Sequence, residues 1–129
     1  MSVGPEDTSL TPIPCDAILY RLLTKSLWID PDGGVLPAAF YRRPDEEGMS
    51  VFIAAICPLE EAKTLLNKVK GIATLHTGHI RDLGLEVIPD PIDVRHAEII
   101  GVPLRDDDGG LATYYADLLA EQSRLVWKR

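Results

Sequence analysis

Residues 48–58 read Gly-Met-Ser-Val-Phe-Ile-Ala-Ala-Ile-Cys-Pro, and this stretch decides which kind of fold the chain can form. Positions 49–56 are nearly all apolar. A run of this length between a glycine and a proline indicates a strand buried on both faces. Pro58 suits the first position of a helix, where no N–H is needed for a helical hydrogen bond. The stretch therefore predicts a buried strand followed directly by a helix.

Two helices are predicted from apolar residues at helical spacing. The first covers 59–70, where Leu59, Ala62, Leu66 and Val69 recur on one face, and Gly71 is expected to end it as a left-handed cap. The second covers 111–123, with an apolar face that contains Leu111, Tyr114, Tyr115, Leu118 and Leu119.

Short apolar segments predict the remaining strands. The candidates are 17–23, 35–41, 72–75, 85–88, 97–102 and 125–127, and 76–84 is predicted as a loop with one helical turn closed by Gly84. Strands and helices do not alternate regularly, which favours an α+β fold. We expect a mixed or antiparallel sheet of five to six short strands with two main helices. We expect residues 15–129 to form this single domain. Residues 1–14 are polar and contain prolines, and we expect them to form a flexible tail.

The composition of the chain indicates which kinds of partner it binds and in which cellular compartment it works. The 129-residue chain carries a net charge of −7, which repels phosphate backbones and makes nucleic acid an unlikely partner. No apolar run is long enough for a membrane span. Two distant cysteines, Cys15 and Cys57, fit a reduced, cytoplasmic setting. No phosphate-loop or dinucleotide motif is present, so no cofactor is predicted.

The histidines form one candidate site. His76, His79 and His96, with Glu98 two residues after His96, supply the ligand types of a zinc site. His79 is alternatively a general base that acts on Cys57, whose thiol pKa a helix N-terminus would lower. The alternatives are that the histidines cap turns and strand ends, and that Cys57 is a buried residue of the core. Asp90 and Asp93 are predicted as turn residues.

The aromatic residues suggest a second candidate site. Trp28, Phe40, Tyr41 and Arg42 flank the turn 30–34, and aromatic and arginine side chains are enriched in protein interfaces. The alternative is that the rings anchor the core while the arginine reaches outward.

Two resemblances carry expectations of their own. One family is matched by Leu19-Tyr20-Arg21, Trp28, Asp32-Gly33 and Ala39-Phe40, then by Asp90-Pro91, His96-Ala97-Glu98-Ile99 and Gly101-Val102-Pro103. Over most of 17–103 the chain resembles these small bacterial and cyanobacterial proteins of unknown function, which implies no activity.

The order Tyr20-Arg21, Ser50-Val51-Phe52-Ile53 and a helix is similar to that of ADP-ribosyltransferase-type folds. That similarity implies NAD held by Arg21 and Ser50, with Glu98 as the acidic residue. The chain lacks the His-Gly-Thr opening of those enzymes.

Two hypotheses about function follow. The first is a protein-binding module without catalytic activity, whose partner is another protein or a second copy. The second is a small enzyme or metal-binding protein that uses His76, His79, His96 and Glu98.

Overall fold

One antiparallel sheet of six strands organises the computed structural model, which describes residues 11–129. The strands are β1 (Ile18–Leu23), β2 (Met49–Ile53), β3 (Gly71–His76), β4 (Glu86–Pro89), β5 (His96–Ile100) and β6 (Arg124–Lys128). Their order across the sheet is β4-β5-β2-β1-β3-β6, and every neighbouring pair is antiparallel. The predicted α+β class is confirmed.

Three helices accompany the sheet in the described part of the chain: α1 (Leu59–Ala62), α2 (Thr77–Asp82) and α3 (Gly109–Gln122). The α3 helix begins where the Asp108 carboxylate accepts the Leu111 N–H at 3.0 Å, a typical N-terminal cap. Ser26–Trp28 and Pro37–Phe40 form 3-10 turns. None of the helices in 11–129 combines the length and apolar character needed to cross a bilayer.

The larger core lies on one face of the sheet. Alternate strand residues such as Leu19, Val51 and Leu75 point into it, and Phe40 and Leu119 cover it from the 37–40 turn and α3. Ile13 is also buried in this cluster, so this position of the predicted tail packs against the domain. Residues 1–10 of that tail lie outside the described residues.

The opposite face carries a smaller core built by the segment 57–70. Its buried members are Leu22, Cys57, Ala62, Val69 and Ile72. Strand β2 is therefore covered fully on one face and partly on the other, where Ser50 and Phe52 remain half-buried. The predicted burial on both faces holds for the first face only.

The prediction of one helix over 59–70 is wrong. Helix α1 ends at Ala62, and Leu66 is 48% exposed although it was placed on the apolar face. Gly71 is not a helix cap but the first residue of β3, paired with Leu23. A Cβ there would lie 2.8 Å from Ile29 Cδ1 and 3.1 Å from the Trp127 carbonyl oxygen, so close packing explains this glycine.

The strand predicted over 35–41 is also wrong. Pro37 has no N–H to give to a sheet and its fixed φ starts a 3-10 turn instead. That turn buries Ala39 and Phe40 and aims the Ala39 carbonyl at the sheet.

Arg21 occupies the place where β1 and β2 separate. The two strands pair only at Leu19–Ile53 and Tyr20–Phe52. Beyond that point the Arg21 guanidinium donates to the Ala39 carbonyl at 2.9 and 3.1 Å and to the Ser50 carbonyl at 2.9 Å. Burial lowers the pKa of this guanidinium to about 10, so it keeps its charge at neutral pH.

Replacing Arg21 should cost much of the stability. Arg21→Ala removes three charge-assisted donors and leaves two carbonyls unpaired, so we expect a loss of about 2–4 kcal/mol in the free energy of unfolding. Arg21→Lys should recover little, because a single ammonium cannot span both carbonyls. Urea unfolding measures the loss. Arg43→Ala, at an exposed position, is the control and should be nearly neutral; equal effects would show that the Arg21 contacts contribute nothing.

Gly48 should be intolerant of a side chain. A Cβ there would lie 2.7 Å from the Ile99 carbonyl oxygen, so Gly48→Ala should push β2 away from β5 at a cost of about 1–3 kcal/mol. Gly110→Ala is the matched control. Its Cβ meets nothing closer than 3.8 Å, and alanine should stabilise α3 by about 0.5–1 kcal/mol. Thermal melting should show a lower Tm for Gly48→Ala and a higher Tm for Gly110→Ala than for the wild type. An unchanged Tm for Gly48→Ala would contradict the tight packing at Gly48.

Candidate functional site

A chain of side-chain hydrogen bonds centred on His96 joins strand β2, strand β5 and the loop after β4. In the β2–β5 ladder Phe52 is opposite His96 and Ser50 is opposite Glu98, so Ser50 and His96 are diagonal neighbours on one face. His96 Nε2 lies 3.0 Å from Ser50 Oγ, and His96 Nδ1 lies 2.8 Å from Asp90 Oδ2. We call Ser50, His96 and Asp90 the relay.

The loop between β4 and β5 holds Asp90 in place. The other Asp90 oxygen, Oδ1, accepts the Ile92 N–H at 2.8 Å, and the Asp90 N–H donates to the His96 carbonyl. The bond from the Ile92 N–H, and after it the bond between His96 Nδ1 and Asp90 Oδ2, hold the pKa of the Asp90 carboxyl below its ordinary value. Hydrogen bonds from Arg95 do the same for the pKa of Asp93. The carboxylate that faces His96 is thus ionised and oriented.

The relay has the connectivity of a serine nucleophile, an imidazole base and an orienting carboxylate. His96 and Glu98 lie on one strand face, as residues two apart on a strand must. Asp90 was predicted only as a turn residue, and Ser50 only through the resemblance to NAD-binding folds. The missed signal is the hairpin between 85–88 and 97–102, since closing it brings 90 and 96 together.

The four predicted metal ligands lie in two separate places. His76 ends β3 and stacks on His79 of α2 with ring centroids 4.3 Å apart, while His96 and Glu98 lie on β5. Strands β1 and β2 stand between β3 and β5, a separation of roughly 14 Å. Across 11–129, no three His, Cys, Asp or Glu side chains are arranged to hold a metal ion. His76 Nδ1 is buried without a hydrogen-bond partner in that range.

Cys57 is a packing residue. It is fully buried in the smaller core, and burial followed by the nearby Glu61 raises the pKa of its thiol. The expected lowering by a helix N-terminus is therefore wrong, because α1 is a single turn and burial outweighs it. His79 is exposed on α2, away from this thiol's core.

The side chains of the predicted aromatic surface make contacts within the domain. Phe40 is fully buried, and Arg42 donates to the Val102 carbonyl at 2.9 Å and to the Glu46 carbonyl at 2.7 Å. Tyr41 bonds Thr113 at 3.0 Å between their hydroxyls, and Trp28 packs half-buried against the core. These contacts tie the 37–42 region to its neighbours.

An open cleft of about 800 Å³ lies at one end of the sheet. Three segments line it: residues within 11–18, residues 53–56 at the end of β2 and in the turn after it, and residues within 89–94. Ile18, Ile56 and Val94 contribute exposed apolar surface, and Val94 is 73% exposed. The charged side chains among the described lining residues are Asp16 and Asp90.

Comparisons with protein-family models, with curated proteins and with solved structures find no match to this chain.

The carboxylates of the β4–β5 hairpin should make stability fall in acid. Asp90 and Asp93 have pKa values below 3.8, and the pKa of Glu86 is lowered from 4.5, first by its bond from Arg81. Groups with depressed folded-state pKa values stabilise fully above the unfolded values and lose that contribution as pH falls through the folded ones. Thermal melting between about pH 7 and pH 2 should thus show Tm falling below about pH 5.

Asp90→Asn should flatten that acid-induced fall, since the amide cannot be protonated there. Asp117→Asn, at an exposed position on α3, should keep the wild-type profile. Identical pH profiles for wild type and Asp90→Asn would contradict the role of this carboxylate.

Proposed function

We propose that this protein is a cytoplasmic protein-binding module whose cleft takes a short partner segment with an apolar centre and flanking lysine or arginine. The observation that carries the proposal is the cleft itself. Its exposed apolar side chains cluster in a concave site of a size that suits a few side chains of a ligand. Clustered apolar surface of this kind is typical of interaction sites.

The charge of the site selects the chemistry of the partner. Asp16 and Asp90 lie at an otherwise apolar wall, and the whole chain carries −7. A cationic segment is attracted to such a surface from a distance, whereas an acidic segment is repelled. The apolar centre of the segment would fill the space between Ile18, Ile56 and Val94.

The segments that line the cleft are held in a fixed conformation before any partner binds. Ile18 is on β1, and residues 53–56 are the end of β2 and the turn after it; both strands lie in the middle of the sheet. Pro12, Pro14, Pro89 and Pro91 stiffen the other two segments. Walls that change little on binding lower the entropic cost of association.

Two fluorescein-labelled peptides test the proposal by fluorescence polarisation. One has a leucine-isoleucine centre flanked by lysines, and the other has glutamates in place of the lysines. The lysine peptide should bind at least tenfold more tightly, and 0.5 M salt should reduce this difference. Equal affinities, or no binding of either peptide, would contradict the proposal.

A matched pair of variants locates the site. Val94→Asp puts a charge inside the cleft and should weaken binding of the lysine peptide at least tenfold. The loss of apolar contact with the centre of the peptide should outweigh the attraction between the new carboxylate and the peptide lysines. Leu27→Asp, at an 82% exposed position outside the cleft, should leave binding unchanged.

Other occupants give different results. A gain in peptide affinity on removal of residues 1–10 would assign the cleft to the chain's own first residues. A concentration-dependent dimer that Val94→Asp disrupts would assign it to a second copy. Either result overturns the proposal of a separate partner.

A further inference from the structure

We propose that Ser50 is a nucleophile that accepts the acyl group of an uncharged or cationic carboxylic ester, with His96 as its general base and Asp90 as the residue that positions His96. This proposal does not depend on the cleft or on its partner. It rests on the hydrogen bonds of the relay, which are 3.0 Å from His96 Nε2 to Ser50 Oγ and 2.8 Å from His96 Nδ1 to Asp90 Oδ2.

The hydrogen-bond directions follow from the chemistry of the three groups. An ionised carboxylate only accepts hydrogen bonds, so Asp90 requires the proton of a neutral imidazole to be on Nδ1. Nε2 then carries the lone pair and accepts the hydrogen of the Ser50 hydroxyl. This tautomer and this direction are what proton removal from serine requires.

Holding the loop in place does not by itself require Ser50. Asp90 already secures the loop through Ile92 and through the backbone of His96. Within 11–129, the Ser50 hydroxyl bonds His96 and no other group. The serine is therefore paired with a base and is otherwise uncommitted.

The relay is rigid and reachable. Ser50 and His96 lie on adjacent strands in fixed register, and Arg21 holds the Ser50 carbonyl from the side of β1. The His96 side chain is 17% exposed, that of Asp90 is 24% exposed, and Ser50 is half-buried. Groups held in register on adjacent strands and open to solvent are positioned in advance for a small substrate.

The neighbours of Ser50 restrict the substrate. Glu98 is directly opposite Ser50 on the same face and repels an anionic acyl compound. Phe52, which packs on the His96 ring at 5.2 Å between centroids, gives apolar surface beside it. An ester with an uncharged or cationic acyl group and an apolar portion fits these surroundings.

The reaction balances with water as the only co-reactant. Ser50 Oγ forms a bond to the ester carbonyl carbon while its proton moves to His96 Nε2. The bond from that carbon to the alcohol oxygen breaks, and the alcohol leaves with the proton from His96. Water then attacks the acyl-serine, gives one proton to His96 and releases the acid, and the proton returns to Ser50.

Labelling with a fluorophosphonate probe tests the proposal on the full chain. The probe forms a stable phosphonyl ester with an activated serine and loses fluoride. Intact-mass and peptide mass spectrometry should show one adduct, on Ser50. Ser50→Ala should abolish it, and His96→Ala should slow it by about 10²-fold or more. Ser26→Ala, at an exposed serine far from the relay, should react like wild type.

Asp90→Asn tests the positioning role separately. It should slow labelling at neutral pH and change the pH profile of the labelling rate, since an amide no longer fixes the proton on Nδ1. Circular dichroism melting of every variant shows whether it is folded. An unlabelled folded wild type, labelling of another serine, or an Asp90→Asn profile equal to wild type would each overturn the proposal. Adduct formation on Ser50 would also show that the expectation of a module without catalytic activity is wrong.

Discussion

The fold depends on the bonds of one arginine at the fork between β1 and β2. Two backbones that separate inside a sheet leave carbonyls without ladder partners, and buried carbonyls are costly when unpaired. Arg21 supplies donors to the Ser50 carbonyl and to the Ala39 carbonyl of the neighbouring turn. Because these acceptors are satisfied by a side chain, β1 is free to continue along β3 while the first half of β2 pairs with β5 alone. Ser50, whose carbonyl Arg21 holds, lies in this half of β2, diagonal to His96 of β5.

The two faces of the sheet are covered unequally, and this leaves the relay accessible. The larger core, under α3 and the 37–40 turn, contains most of the apolar residues and holds the strands together. The segment 57–70 covers only part of the other face, around Leu22 and Ile72. Ser50 and His96 lie on that face, half-buried rather than enclosed. A structure of this kind combines a rigid backbone with polar groups that solvent can reach.

Local sequence patterns predicted most helices and strands correctly. The wrong predictions concern features that depend on contacts between residues distant in sequence. The 111–123 helix and the strands near 18–23 and 97–100 were recognisable because their periodicity matches their local geometry. The 59–70 segment has the same helical spacing, yet only its first four residues are helical and Leu66 is exposed. For the site, the shared face of His96 and Glu98 was predictable from strand alternation. The diagonal contact with Ser50 was not, since it needs the register of two strands far apart in sequence.

Asp90 connects the two parts of the molecule to which we assign functions. It lines the cleft, and its Oδ2 atom bonds His96. A carboxylate offers about four lone-pair positions, and Ile92 and His96 use two of them. A cation that binds Asp90 from the cleft therefore need not displace His96. Its positive charge nevertheless partly offsets the negative charge of the same carboxylate. This weakens the field that keeps the imidazole proton on Nδ1. Because energetic coupling between two sites is reciprocal, the state of the relay must in turn affect the affinity of the cleft for a cation.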